Sequence, residues 1–226
     1  MLYDDAERSS RARKELRNKS LKKHTPDAEE SKVIHALWQK QVTWQDTATS
    51  DHKPANVHWL DTTKLHTAAI MQPQYRNRHH FMIFGGFLLR SSYELAFCCC
   101  ASFARARPRF VSLDPSTFET PVPVGSVLYL AATVVYTDPE VDTTATPESQ
   151  TTEKGKTRVL VRVDSYVRNV EHGDRKPTGT FNYSFEVDGD VRVMPRSYGE
   201  FMMYIDAKRR AKSVASLDCQ RSSWTE

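Results

Sequence analysis

From Gly86 the chain runs for about twenty residues without another glycine or a proline until Pro108. The stretch reads Gly85-Gly86-Phe87-Leu88-Leu89-Arg90-Ser91-Ser92-Tyr93-Glu94-Leu95-Ala96-Phe97, followed by Cys98, Cys99 and Cys100. A strand of that length is exceptional, so the run predicts a helix. Apolar residues fall on nearly every face of it, which requires other elements on all sides. Glu94 is its single acid, an expensive group to enclose without a partner.

Strand-like segments supply the enclosure. Leu65 to Met71 ends in the turn Gln72-Pro73, and Phe110 to Phe118 is broken by Pro115. Val124 to Tyr136 is apolar at successive positions, as a central strand covered on both faces would be. Arg158 to Val167 alternates Val159, Val161 and Val163 with polar residues, and Thr180 to Val187 alternates Phe181, Tyr183, Phe185 and Val187 likewise. The turn Glu171-His172-Gly173-Asp174 makes the last two antiparallel neighbours. The pattern predicts an α+β fold: one long helix laid across an antiparallel sheet of about five strands. A second copy of the domain is the simplest cover for the helix's other side.

Outside this core the chain is polar. Residues 1–30 carry fifteen charged side chains, eight basic and seven acidic, and read as a solvated helical arm. Thr25-Pro26-Asp27 predicts a helix start with proline at the first helical position, and Val33, Ile34, Leu37 and Trp38 a buried stripe. Residues 45–57 read as linker, 138–156 as a long loop, Tyr198 to Lys212 as a short helix. The expected organisation is an arm over 1–58, one folded domain over 59–212 and a tail over 213–226.

The 226 residues carry 32 Lys+Arg against 28 Asp+Glu, a net charge of +4. That excess suits a small anionic ligand and is too weak to argue for nucleic acid. No apolar run reaches the roughly 18–20 residues that cross a bilayer, so no membrane span is expected. Three adjacent thiols diverge by about 100° each on a helix and cannot share a metal; they read as small apolar filler. No secretory apolar stretch opens the chain, and Asp4, Asp5 and Glu7 do not fit an import peptide.

The candidate chemistry sits where the loop Asn77-Arg78-His79-His80 meets Gly85-Gly86. Amide groups at a glycine-rich helix start suit an anion or a developing oxyanion, and a carboxylate further in could orient and deprotonate water. Each feature also has a plain alternative. The glycines suit close packing, Glu94 suits either an arginine partner or a place at the helix's exposed edge, and Asn77 suits an ordinary turn. His79 and His80 diverge and read as loop histidines. Arg105, Arg107 and Arg109 are either a solvated helix terminus or a contact for a phosphorylated ligand.

The ordered set Met71-Gln72-Pro73-Gln74, Arg76-Asn77-Arg78-His79, Ile83-Phe84-Gly85-Gly86-Phe87-Leu88-Leu89-Arg90 and Tyr93-Glu94-Leu95-Ala96 resembles the C-terminal hotdog domain of mitochondrial acyl-coenzyme A thioesterases, the acyl-CoA thioesterase 9-like family. Ser112-Leu113-Asp114, Pro121 to Ser126, Ser197-Tyr198-Gly199-Glu200 and Tyr204-Ile205-Asp206 extend the likeness over about residues 14–210. The resemblance implies a hotdog fold, a sheet wrapped around the central helix, and hydrolysis of fatty-acyl-CoA to a free acid and CoA. It implies Asn77 and Glu94 as the catalytic pair and Gly86 as the amide facing the thioester oxygen. Gly85, Arg105 and Arg107 are then candidate substrate contacts. It implies no metal or redox cofactor, a mitochondrial setting, and a cleft between paired domains. Family members usually carry two such domains. A chain holding one is expected to form a homodimer or higher even oligomer around its acyl-CoA substrate. Two other readings remain: a non-catalytic acyl-CoA-binding or assembly subunit, and a hotdog dehydratase using His79.

Overall fold

The computed structural model of the protein describes residues 24–45, 53–78, 82–114, 118–139, 155–169 and 173–222, with Gln45 and 213–222 as backbone only. His79, His80, Pro115, Glu171, His172 and most of the predicted 138–156 loop lie outside the described residues. In chain order the main elements are helix α1 (Ala28–Gln45), strand β1 (Val57–Trp59), a 3-10 turn (Leu60–Thr63), β2 (Leu65–Ile70), helix α2 (Gly85–Ala104), β3 (Arg109–Leu113), β4 (Val127–Asp138), β5 (Lys156–Arg168), β6 (Arg175–Asp188), β7 (Arg192–Met194) and helix α3 (Tyr198–Ser222). The chain divides into two compact units, Lys53–Met194 and a second formed by the flanking segments.

In the flanking unit, α1 starts two residues later than predicted. The Asp27 amide donates to Glu30 Oε2 (3.0 Å) and the Glu30 amide to Asp27 Oδ1 (2.8 Å), a reciprocal cap that makes Asp27 the cap residue and leaves Pro26 outside. The buried stripe is Leu37, Gln41 and Trp44, whereas Trp38 is 49% exposed. Val33 and Ile34 are half-buried on the predicted face, which Trp44 continues at the 3.6-residue period from Leu37, so that Trp38 alone of the predicted stripe turns outward. Arg209 of α3 forks onto Glu30 at 2.7 and 2.6 Å, which holds that carboxyl below its ordinary pKa. The Gln41 side-chain amide donates to the Arg196 carbonyl at 3.1 Å. α3 continues through Ser222 rather than stopping at Lys212, its Ala, Lys and Arg residues being strong helix formers.

The larger unit holds the predicted five-stranded antiparallel sheet, in the order β2-β4-β5-β6-β3. β1 and β7 add a small parallel pair that was not expected, three residues each being too short to carry a period. α2 lies across the sheet against β4, β5 and β6. Val159, Val161, Val163, Phe181, Phe185 and Val187 point inward, all 1% exposed or less. Ala96 and Cys100 of α2 are fully buried. Around Phe185 stand Tyr93, Phe97 and Phe110, with ring centroids 6.1–6.3 Å from its own. The Tyr183 hydroxyl meets that of Ser92 at 2.7 Å beneath the helix. β4 departs from its reading: it is covered on both faces only from Ala132 onward, while Val127, Tyr129 and Ala131 are half-buried.

Thr63 ties the 3-10 turn to the sheet. Its hydroxyl donates to the Leu60 carbonyl (2.8 Å) and accepts from the Val134 amide (3.1 Å). Thr63→Val keeps the shape but strands the Val134 donor in a buried site. It is expected to cost about 1–3 kcal/mol of stability, read from denaturant melts.

Among the described residues no helix is long and apolar enough to cross a membrane, and no cluster of three or more His, Cys, Asp or Glu is placed to hold a metal ion.

Candidate active site

The start of α2 is built from backbone outward. The Phe84 amide donates to the Tyr75 carbonyl (2.9 Å), the Asn77 amide to Met82 (2.8 Å) and the Ile83 amide to Val122 (2.8 Å). These bonds fold the loop beside the helix tip. Phe84 is the cap residue, in extended conformation and without a side-chain cap. Its carbonyl takes the amides of Phe87 (3.0 Å) and Leu88 (3.4 Å). The amides of Gly85 and Gly86 find no acceptor among the described residues. Two donors at the positive end of a twenty-residue helix suit an incoming oxyanion.

Both glycines are selected by space. A Cβ on Gly86 would stand 2.4 Å from Phe84 Cε1, and one on Gly85 3.3 Å from Phe118 Cε2.

Beside this tip lies an open groove of about 480 Å³ lined by Gln74, Tyr75, Arg76, Asn77, Phe84 and Phe87, with Arg78 at its margin. Tyr75 and Phe87 stack with centroids 3.9 Å apart and planes 18° from parallel. Phe84 is 57% exposed. The groove therefore joins an apolar aromatic wall to amide donors and guanidinium groups, a lining suited to a ligand that is apolar at one end and anionic at the other.

Of the residues singled out in the sequence, Asn77 lines the groove, and Gly85 and Gly86 form the helix start that follows Phe84 of its lining. Glu94 does not sit in an enclosed apolar setting. Its carboxylate accepts from Arg90 Nε at 2.8 Å, and its side chain is 58% exposed. Arg90, Glu94, Cys98 and Ser102 recur every four residues as an exposed line along α2. Glu94 lies two turns beyond Phe87 on the same face, about 12 Å along the axis from Gly86. Arg105 and Arg107 stand at the opposite end of α2, about 30 Å from its start, and do not join the groove within one chain. The Tyr75–Phe87 stack, Arg76 and Arg78 were missed as site residues. Their signal in the sequence was the repeated pairing of aromatic and basic residues on both sides of Asn77.

A five-stranded antiparallel sheet with one long helix laid across it is the hotdog arrangement, and solved acyl-CoA hydrolases share this fold. An acyl-CoA hydrolase from Staphylococcus aureus, solved with butyryl coenzyme A and coenzyme A, superposes with a TM-score of 0.57 at 20% identity, covering 75% of this chain and 96% of that one. A hexameric acyl-CoA thioesterase gives a TM-score of 0.59 at 20% identity over 72% of this chain and 97% of its own. At that identity the likeness is one of fold. No family model matches the sequence. The chain is, however, a relative of the mitochondrial acyl-coenzyme A thioesterases: it is 32% identical over 220 residues, 95% of its length, to mouse "Acyl-coenzyme A thioesterase 9, mitochondrial". It spans 45% of that protein's length, about half of the curated relatives it matches.

Proposed function

We propose that the chain forms one hotdog half of an acyl-CoA thioesterase, hydrolysing a fatty-acyl thioester to a carboxylic acid and CoA. The observation carrying this reading is the pair of amides at Gly85 and Gly86, without an acceptor among the described residues, beside an aromatic groove that contains Asn77. The thioester carbonyl oxygen accepts from these amides. Water, positioned by Asn77 and relieved of a proton by Glu94, adds to the carbonyl carbon. Charge gathers on the oxygen at the helix tip, then the C–S bond breaks and the thiolate leaves, taking up a proton. The aromatic wall takes the acyl-pantetheine stem, and no metal or redox group enters the scheme. The relatives' names support a mitochondrial setting.

Glu94 is about 12 Å from the helix tip of its own chain, so a working site draws the acid and the tip from different copies. The free edge of β3 supports such pairing. Phe110 and Val111 on it, and Phe118 near it, are 50%, 40% and 45% exposed. A homodimer or higher even oligomer follows. CoA release from an acyl-CoA chain-length series, together with solution mass, tests both parts. A turnover-free chain, or an active strict monomer, counts against them.

A second reading is favoured by one observation, the Arg90 guanidinium occupying the Glu94 carboxylate. It makes the chain a non-catalytic acyl-CoA-binding or assembly subunit, recognised by ligand binding without thiol release.

Gly86→Ala probes the tip together with the Phe84 ring of the adjoining groove. The new Cβ must push the exposed Phe84 ring aside, which is cheap for the fold because the ring swings into solvent. The expected result is a thermal midpoint within about 3 °C of wild type and a fall in kcat/KM of about tenfold or more.

A further inference from the structure

At the far end of α2 a second cavity, about 130 Å³, is lined by His58, Thr62, Thr63, Leu65, Cys99, Ser102, Phe103 and Arg105. That volume holds about four waters, or one small tetrahedral ion. All of its walls belong to the larger unit.

Arg105 is the anomaly. It closes α2 in the left-handed conformation, φ 50° and ψ 31°, and is the only non-glycine residue with positive φ among the described residues. Glycine or asparagine normally fills such a position, because a Cβ there costs about 1 kcal/mol. An arginine retained against that cost directs attention to its guanidinium. No carboxylate pairs with it among the described residues, and Arg105 is exposed and lines the cavity.

The rest of the lining has the same character. The His58 ring is half-buried and held edge-on by Phe103 at 5.3 Å. Burial, then Lys53 and Arg105, push its pKa down, so both charged groups acting on it are cations. Ser102 and Thr62 bring hydroxyl groups. Cys99 donates its S–H to the Thr63 carbonyl at 3.2 Å, and burial pushes its thiol up to about 12, so that wall carries no charge. The negative end of the α2 dipole opposes an anion here. That effect is screened and confined to the last turn, whereas a guanidinium fork offers charge-assisted hydrogen bonds.

We infer that this cavity is an anion site for a tetrahedral oxyanion of the phosphate class, gripped by Arg105, with His58, Ser102 and Thr62 as further hydrogen-bonding groups. It lies about 30 Å from the diglycine tip of the same chain and does not depend on the thioesterase reading. Its chemistry fits free phosphate or the phosphomonoester of a larger ligand.

Arg105→Gly gives a clean test, since glycine relieves the backbone and deletes only the grip. Wild type is titrated with inorganic phosphate, and separately with adenosine 3′-phosphate, by calorimetry and by the His58 ring resonances. Saturable binding that moves those resonances is expected, weakened about tenfold or more in Arg105→Gly while the thermal midpoint holds or rises. Arg105→Lys is expected to retain part of the affinity. Equal affinity for the two probes assigns the site to free phosphate, and tighter binding of adenosine 3′-phosphate assigns it to a phosphomonoester. A wild type with no saturable response, or an Arg105→Gly variant that binds equally well, overturns the inference.

Discussion

Replacing Glu94 by Gln is expected to lower CoA release by about a hundred- to ten-thousand-fold, the range for loss of a positioned general base, and to leave the melting curve almost unmoved. The second half of that expectation comes from the geometry. The carboxylate stands on the open line of α2, its partner Arg90 is itself 76% exposed, and pairs of this kind contribute little to folding. A midpoint within about 2 °C of wild type therefore isolates chemistry from stability. Glutamine keeps the side chain's size and hydrogen-bonding reach and removes its basicity. An E94Q protein that turns over acyl-CoA at the wild-type rate ends the proposed mechanism. A wild type that binds acyl-CoA and never releases thiol favours the binding-subunit reading.

The second large effect is on stability. Phe185→Ala removes a fully buried ring that four other rings surround: Tyr93, Phe97, Phe110 and Tyr183. Lost burial and the remaining cavity together cost about 3–5 kcal/mol for such a change. For a domain of this size that corresponds to a fall of roughly 6–20 °C in midpoint. Phe185 sits in β6 between β5 and β3, so its cavity opens under the helix and beside the free edge of the sheet at once. Phe185→Leu, which refills most of the space, is expected to recover about half of the loss. A thermal midpoint for Phe185→Ala close to wild type would show that the helix is not held by this cluster.

Much of this fold is legible in the chain because alternation and burial coincide. Val159, Val161 and Val163 in β5, and Phe181, Phe185 and Val187 in β6, mark the inner face residue by residue. The same logic found α2 but misjudged its surroundings. Counting apolar residues all round the helix hid the polar line of Arg90, Glu94 and Ser102, which a strict four-residue spacing would have revealed. β1 and β7 were out of reach, since the parallel pairing of Val57–Trp59 with Arg192–Met194 spans most of the domain and leaves no local period. At the candidate site, the nearness of Asn77 to Gly85 and Gly86 was legible because a loop and a helix tip are adjacent in sequence. The Tyr75–Phe87 stack was not, since a 3-10 turn at Pro73–Tyr75 and the loop back to the helix decide which rings meet. Likewise the backbone at Arg105 carries no composition signal; only φ reveals it.

The strand order carries a consequence for assembly. An edge that pairs with its own copy through a two-fold axis closes on itself, so β3 meeting β3 fuses two sheets and then stops. Both rims of the fused sheet are then β2, where Ala68, Ala69 and Ile70 lie bare to solvent. Growth past two subunits must either capture that rim or proceed through faces perpendicular to it.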